Sequence, residues 1–274
     1  MKKITRRSFM AAAGLTVAAL ALTACGGSSS TASSAAASSV ASSAAASSEA
    51  ASAAATELTT VEAGKLTMAT NAAFPPYEMT TDAGEFEGID IETAQAIADK
   101  LGLELQIDDM DFDAALLSVQ QGKADIVMAG VTVTDERKAV MDFSDSYATG
   151  IQSIIVPEGS DIASPDDLAG KKIGTQRGTT GYIYCSDDFG DENVVAYDDG
   201  LTAVQALNNG QVDAVVIDNA PAKEFVAANP GLVILDTSYA EEDYAIGVAK
   251  GSSLKEAVNA ALEELKADGT LQSI

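Results

Sequence analysis

The sequence predicts an α/β protein in which two similar αβα lobes are joined by a two-strand hinge. Short apolar runs alternate with amphipathic stretches, which is the pattern of βαβ units in a mostly parallel sheet. One segment of this pattern occurs twice, because Ala115–Gly130 aligns without gaps with Ala203–Asp218. A common αβ pattern would produce part of this likeness, but the order of elements on both sides matches as well.

The first lobe is predicted from five elements. In chain order they are the strand Leu66–Thr70, the helix Ile91–Leu101, the strand Glu104–Asp108, the helix Asp113–Gln121 and the strand Asp125–Ala129. The first helix has its apolar residues at helical spacing on one face. The second helix ends at Gly122, a residue type that commonly follows the last helical turn.

The second lobe repeats this order. Its predicted elements are the strand Lys172–Gln176, the helix Thr179–Cys185, the strand Val194–Tyr197, the helix Thr202–Asn209 and the strand Asp213–Ile217. Glycine follows the second helix here too, at Gly210. The matching order indicates that both lobes are built on one plan.

The connections predict the hinge. Tyr147–Val156 is a β-rich stretch between the lobes, Glu242–Ala249 is a strand after the second lobe, and Ser253–Leu271 is a long closing helix. A chain that builds the second lobe and returns crosses between the lobes twice, and a cleft must lie beside the crossing. We expect residues 57–149 and 244–274 to form the first lobe and residues 150–243 the second.

The N-terminal segment has the composition of an export signal. Residues 1–24 combine a basic start with a short apolar run, and they lead to Cys25 through a pattern that resembles a bacterial lipoprotein box. Thr5–Met10 also looks like a twin-arginine signal. We expect Cys25 to be lipidated and residues 25–56, which are rich in Ser and Ala, to be a tether. The protein would then be extracytoplasmic and anchored to the bacterial cell membrane.

The composition excludes several classes of function. Loss of residues 1–24 takes the formal net charge from −25 to −29, since four basic and no acidic side chains are removed. This charge argues against binding to nucleic acid. The chain has no histidine, which removes the usual general base and the commonest metal ligand. Asp109–Asp113 begins like a calcium loop, but Ala114 and Gln120 replace the required glycine and glutamate.

Polar residues at the predicted strand ends indicate a ligand site. Ligands bind such sheets at the carboxyl ends of the strands, and the duplication places Asn71, Gly130, Gln176 and Asp218 there. A carboxylate that ends a buried apolar strand is costly unless it meets a cation. The alternative for Asp218 is that it caps the following helix.

Other groups near these strand ends suit an anion and an apolar stem. Arg137 offers a planar fork that fits a carboxylate, although a surface salt bridge to a neighbouring acidic residue is the alternative. Thr179 and Thr180 open a helix whose free N–H groups suit an anion. Phe74 and Phe112 follow strand ends, where aromatic rings could close over an apolar stem. Together these groups complement a free α-amino acid.

The chain is also similar to a known family, the polar amino-acid-binding proteins of bacterial ABC importers, solute-binding protein family 3. The segments that carry this resemblance are Ala69–Glu78, Phe86–Ile91, Ala129–Lys138, Asp142–Tyr147, Gly170–Gly174, Gly178–Gly181 and Val212–Asp218. The resemblance implies a type II periplasmic binding protein fold, no enzymatic activity, no cofactor and no metal. It implies a monomer that gives its amino acid to an importer permease.

The resemblance also implies a role for each candidate residue. Arg137 would pair with the ligand carboxylate, assisted by Thr132, Thr179 and Thr180. Asp218 would take the ammonium group, assisted by backbone from Ala129 or Gly130, and Phe74 and Phe112 would enclose the side chain.

Two positions depart from the family pattern. Asn71 stands where aspartate is frequent, and Gln176 stands where glutamine-binding members carry lysine. These residues favour an uncharged polar side chain over a strongly basic one.

Two other functions remain open from the sequence. The protein could be a sensor domain that works with a separate signalling partner. It could also be a small-acid dehydratase on the same fold, in which Glu78, Asp218 or a tyrosine would have to act as the acid–base group. Cys185 has no partner cysteine if Cys25 is lipidated, and we expect it to be a buried thiol.

Overall fold

The computed structural model describes residues 58–274, so the predicted signal, Cys25 and the whole of the predicted tether lie outside the described residues. The first group of elements comprises β1 (Lys65–Thr70), β2 (Ala73–Phe74), β3 (Glu78–Thr80), β4 (Phe86–Glu87), α1 (Ile89–Leu101), β5 (Glu104–Asp109), α2 (Phe112–Gln120), β6 (Ile126–Val127), α3 (Asp135–Val140) and β7 (Met141–Pro157). The apolar face of α1 is buried, as its spacing predicts. Within residues 58–274, no helix is both long and apolar enough to cross a membrane.

The second group follows the long strand β7. It comprises β8 (Ile173–Gln176), α4 (Thr180–Phe189), β9 (Val194–Tyr197), α5 (Gly200–Asn208), β10 (Ala214–Asp218), α6 (Asn219–Ala228), β11 (Leu232–Ile234), β12 (Ala240–Ala249), α7 (Leu254–Ala267) and α8 (Thr270–Ser273). Short 3-10 turns at Pro165–Leu168 and Asp191–Asn193 lie between these elements. The repeated segments each contain the end of a helix and the following strand, as the alignment predicts.

One mixed sheet joins the two groups. Its order is β5-β1-β6-β12-β7-β10-β8-β9, with β11 paired to β7. Pairing is parallel within β5-β1-β6 and within β10-β8-β9. The central strands β12 and β7 pair antiparallel with each other along most of their length, and each also contacts one of the parallel ends. The predicted lobes therefore correspond to the two parallel ends, and the predicted hinge to the two long strands.

The limits that we expect for the lobes fall inside these strands. Residues 149 and 150 lie in β7, and residues 243 and 244 lie in β12, where Thr149 pairs with Asp243 and Ala148 pairs with Tyr244. The sheet is continuous across this point, so the exact limits remain a prediction. Both parallel ends have their own buried apolar clusters, one around Met68 and Ile97 and another around Ile173 and Ala214.

Some predicted elements differ from the observed ones. The closing helix is not continuous over Ser253–Leu271, because α7 ends at Ala267 and Gly269 has a positive φ of 82°. Glycine adopts this conformation without the penalty of a Cβ atom, and a separate short helix follows. The strand predicted over Asp125–Ala129 is limited to Ile126–Val127. The helix after Thr179 continues to Phe189, beyond the predicted end at Cys185.

Candidate ligand-binding site

The structure brings all eleven predicted site residues to one cavity. This cavity lies between the two parallel ends of the sheet, since its lining residues come from both of them. The predicted residues that line it are Asn71, Phe74, Phe112, Ala129, Gly130, Thr132, Arg137, Gln176, Thr179, Thr180 and Asp218. Glu78 lines it as well, although the sequence did not lead us to include it in the ligand site.

Arg137 is a buried cation that lacks an ionic partner in the part of the chain that the structure describes. It is 8% exposed and makes no salt bridge with the described acidic residues. Its Nη1 donates to the Thr132 carbonyl at 2.8 Å, and its Nη2 donates to the Gly178 carbonyl at 3.1 Å. Burial lowers the pKa of Arg137, but a guanidinium stays charged at physiological pH. The alternative of a salt bridge to Asp135 or Glu136 is therefore wrong.

The position of Arg137 is fixed by local structure. Thr134 is the N-cap of α3, and its side chain accepts a hydrogen bond from the Arg137 backbone N–H at 3.2 Å. The guanidinium carbon lies 5.3 Å from the centre of the Phe112 ring, a distance that suits a cation–π contact. Two backbone carbonyls and one aromatic ring hold the guanidinium group, and its remaining N–H groups can donate to a ligand.

Asp218 is the corresponding buried anion. It is 7% exposed, and its Oδ2 accepts a hydrogen bond from Gln152 Nε2 at 2.8 Å, while its Oδ1 accepts one from the Tyr244 hydroxyl. Asp218 does occupy the cap position of α6, as the alternative interpretation expected. Its carboxylate makes no capping hydrogen bond, however, and is held at the cavity by the two long strands instead.

Burial sets the protonation of Asp218. The pKa of Asp218 is raised to about 7, chiefly by desolvation and also by the nearby Glu242 carboxylate, while the hydrogen bonds from Tyr244 and Gln152 act in the opposite direction. An ammonium group beside Asp218 would favour the ionised form and offset much of the cost of burial.

The opening of α4 supplies hydrogen-bond donors. Thr179 is the N-cap, and its hydroxyl is used locally, since it donates to the Gln176 carbonyl at 2.8 Å and accepts from Tyr182 N at 3.3 Å. The first N–H groups of a helix have no partner within the helix, so those of Thr180 and Gly181 are free by geometry. This end of α4 is thus a natural site for a carboxylate.

Several hydrogen bonds join the two sides of the cavity directly. Gln176 Nε2 donates to Asn71 Oδ1 at 2.8 Å, and the hydroxyls of Thr132 and Thr180 lie 3.5 Å apart.

Gln152 Nε2 also donates to Glu242 Oε2 at 3.0 Å, so one amide group bridges two buried carboxylates. Gln152 and Glu242 lie on the long strands, and the sequence reasoning missed both. The sequence did contain a signal for them, because each is a polar residue within one of the two predicted hinge strands.

The fold and the cavity define a type II periplasmic binding protein. A profile of the bacterial extracellular solute-binding proteins, family 3, matches residues 66–274. The chain therefore belongs to this family. The family consists of binding proteins, which confirms the prediction that the chain is not an enzyme.

Individual relatives agree with this assignment. The L-cystine-binding protein TcyJ of Escherichia coli K12 is 34% identical over 218 residues, which cover 78% of this chain and 82% of that protein. The arginine-binding extracellular protein ArtP of Bacillus subtilis 168 is 33% identical over 220 residues, which cover 77% and 84%. An ancestral arginine-binding protein bound to glutamine has a similar solved structure, with a TM-score of 0.74, 43% identity and coverage of 77% and 96%.

Proposed function

We propose that this protein binds a free α-amino acid with an uncharged polar side chain and delivers it to an ABC importer. The observation that carries the proposal is a buried guanidinium and a buried carboxylate on one cavity, with no salt bridge between Arg137 and Asp218. An α-amino acid has adjacent charges of both signs, and it would satisfy both groups at once.

Each end of the ligand has proposed partners in the cavity. The ligand carboxylate accepts hydrogen bonds from Arg137 and from the first N–H groups of α4, with the hydroxyls of Thr132 and Thr180 nearby. The ligand ammonium donates to Asp218 and to a backbone carbonyl of Ala129 or Gly130. The electrostatic attraction between two opposite charges is stronger in this buried cavity than in water, because competing solvent is excluded.

The side chain then extends past Phe74 and Phe112 towards Asn71 and Gln176. Both of these residues are neutral amides, which favours a ligand whose side chain is polar and uncharged. The relatives named above bind cystine, arginine and glutamine by their names and titles, so the family accommodates both charged and uncharged side chains.

Closure about β7 and β12 is the proposed mechanism. The ligand contacts groups from both ends of the sheet, so it favours the conformation in which they are close together. The importer would then recognise this closed shape. Cys25 would hold the protein at the outer face of the membrane, and replacing it with serine should release the protein into the medium.

A thermal-shift screen tests the proposal directly. Full-length protein purified in detergent is heated with each of the twenty amino acids and with cystine. A ligand that binds only the folded form raises the melting temperature as its concentration increases. At one hundred times its Kd, it adds about 2.7 kcal/mol to the free energy of unfolding. A shift with one or a few α-amino acids is expected, and no shift with any of them would refute the proposal.

A further inference from the structure

Glu242 is a buried carboxylate beside the ligand cavity, and the binding scheme above gives it no task. It lies on β12 and is 6% exposed, although it is not among the residues that line the cavity. Thr132 Oγ1 donates to Glu242 Oε2 at 3.1 Å, and the Tyr184 hydroxyl lies beside the same carboxylate. A buried carboxylate changes the protonation of any titratable group close to it.

A single amide joins Glu242 to Asp218. The strand β7 lies between β10 and β12, and Gln152 on β7 is the direct register partner of Asp218 on β10. Gln152 Nε2 donates to Asp218 Oδ2 at 2.8 Å and to Glu242 Oε2 at 3.0 Å. A side-chain amide has two N–H groups, so each carboxylate receives one of them. The two carboxylates are therefore held close together by one shared donor.

No salt bridge compensates this pair within residues 58–274. Neither carboxylate lies within salt-bridge distance of a described lysine or arginine. Arg137 on α3 attracts both of them from further away, and it attracts Glu242 more strongly than Asp218. Two buried carboxylates that share one donor avoid double ionisation, so one of them retains a proton at a pH where isolated carboxyls are ionised.

The surroundings favour this proton on Asp218. Arg137 is the cation near the pair, and its stronger attraction to Glu242 favours a charge on Glu242. Asp218 accepts hydrogen bonds from Gln152 and Tyr244, both of which are neutral donors. Burial, and then the charge of Glu242, raise the pKa of Asp218 to about 7 in spite of these two bonds. The proton is thus held by the residue that is proposed to take the ligand ammonium group.

The other titratable groups that face the pair are neutral or acidic. They are Tyr77 before β3, Glu78 on β3, Tyr184 on α4 and Tyr244 on β12. None of these groups adds a positive charge. A cationic group of the ligand is therefore the partner that would allow both carboxylates to be ionised at once.

We propose that Glu242 makes amino-acid binding dependent on pH: it favours a proton on Asp218 in the ligand-free protein, and the ligand ammonium group has to displace that proton. The ammonium group becomes the positive partner of Asp218, and the proton leaves to solvent. Glu242 acts through Asp218 and is a positioning residue that does not contact the ligand. This inference rests on the proposed amino-acid function.

The ratio of the Kd at pH 5.5 to the Kd at pH 8.0 isolates this effect, because any change that is independent of pH cancels. Calorimetry on the full-length protein uses glutamine, which is bound in the solved structure of a relative. Wild type should show a ratio of about 30, as expected when the pKa of Asp218 is about 7. Glu242→Gln keeps the shape but removes the charge, so the ratio should fall to about 4.

Two further variants separate charge from shape. Glu241→Gln is the matched control, since Glu241 is the preceding residue on β12 and is exposed, and it should keep the ratio near that of wild type. Glu242→Asp keeps the charge but shortens the side chain, and it should keep the ratio above about 15. A purely structural role predicts the reverse, with Glu242→Gln close to wild type and Glu242→Asp disturbed.

A second measurement counts protons. Titration in buffers of different ionisation enthalpy gives the number of protons released on binding, which at pH 6.5 should be about 0.8 for wild type and about 0.2 for Glu242→Gln. An unchanged Kd ratio or unchanged proton release in Glu242→Gln would overturn the role of Glu242 and leave the proposed function intact. If wild type bound no amino acid at any pH in this range, the proposed function itself would be wrong.

Discussion

The two sides of the cavity carry opposite charges on different supports. Arg137 lies on the short helix that follows the first repeated segment, and its guanidinium is held by two backbone carbonyls. Asp218 is the last residue of the second repeated segment, and its carboxylate is held by side chains from the two central strands. In the alignment, the residue equivalent to Asp218 is Gly130, which contributes backbone only.

This comparison shows that a repeated αβ unit fixes where the end of its strand lies but does not fix which residue stands at that end. Each unit delivers the end of its strand to the same cavity, because parallel strands expose their carboxyl ends on one edge. The residue at that end then decides the chemistry. Gly130 has a positive φ of 54°, and an added Cβ atom would lie 2.9 Å from a carbon of the Phe74 ring, so glycine is required there.

The largest effect is expected from the cationic side. Arg137→Lys should weaken amino-acid binding about 1000-fold, because a lysine is a point charge that cannot donate to two carbonyls and a carboxylate in one plane. Calorimetry with the best ligand of the thermal screen gives the Kd. Arg177→Lys, an exposed arginine at 55% side-chain exposure, is the matched control and should bind normally. Normal affinity in Arg137→Lys would remove Arg137 from the site.

The anionic side should be somewhat less sensitive. Asp218→Asn should weaken binding about 100-fold, since the amide keeps the shape but offers no charge to the ammonium group. The exposed Asp236 gives the matched control Asp236→Asn. An Asp218→Asn protein with unchanged affinity would show that the ammonium group binds elsewhere.

The two sides should also respond differently to pH. The pKa of Asp218 is raised to about 7, whereas a guanidinium does not titrate in this range. Binding needs the carboxylate, so affinity for glutamine should fall as the pH falls through 7, by about 20-fold between pH 7.5 and 5.5.

The ligand-free protein should show the opposite trend. A raised pKa of a carboxyl makes the folded state most stable at low pH, and this stability is lost as the pH rises through about 7. Melting temperatures without ligand across the same pH range test this sign, and Asp218→Asn should flatten both profiles. Affinity and stability that move together with pH would contradict the assignment.

The smallest effect is expected where the two sides touch. Gly178 has a positive φ of 73°, and a Cβ atom there would lie 1.6 Å from a side-chain oxygen of Asp113 on α2. Gly178→Ala should weaken binding about tenfold by opposing closure, and adding Asp113→Ala should restore most of the loss. Gly170→Ala is the control, because Gly170 has a similar φ of 75° but open space around its Cβ position. No recovery in the double variant would mean that backbone strain alone is responsible.

Most of the elements and most of the cavity residues could be predicted from the sequence alone. Local periodicity and the gap-free repeat predicted the strands around Met68 and Val215, since these depend on which residues are apolar and at what spacing. The tendency of ligands to bind at the carboxyl ends of such strands, together with the family resemblance, then led to the prediction that Arg137 and Asp218 share one cavity. The prediction of one long closing helix was wrong, because the conformation of Gly269 could not be derived from the spacing of apolar residues alone.

The hydrogen-bond partners of each polar group in the cavity could not be predicted without the three-dimensional structure. Whether Asp218 caps its helix or faces the cavity depended on Gln152 and Tyr244, which come from strands distant in the sequence. Glu78 is similar, because its complete burial depends on packing among several elements. Hydrogen-bond partners and solvent exposure arise from contacts between remote segments, whereas helices and strands follow largely from neighbouring residues.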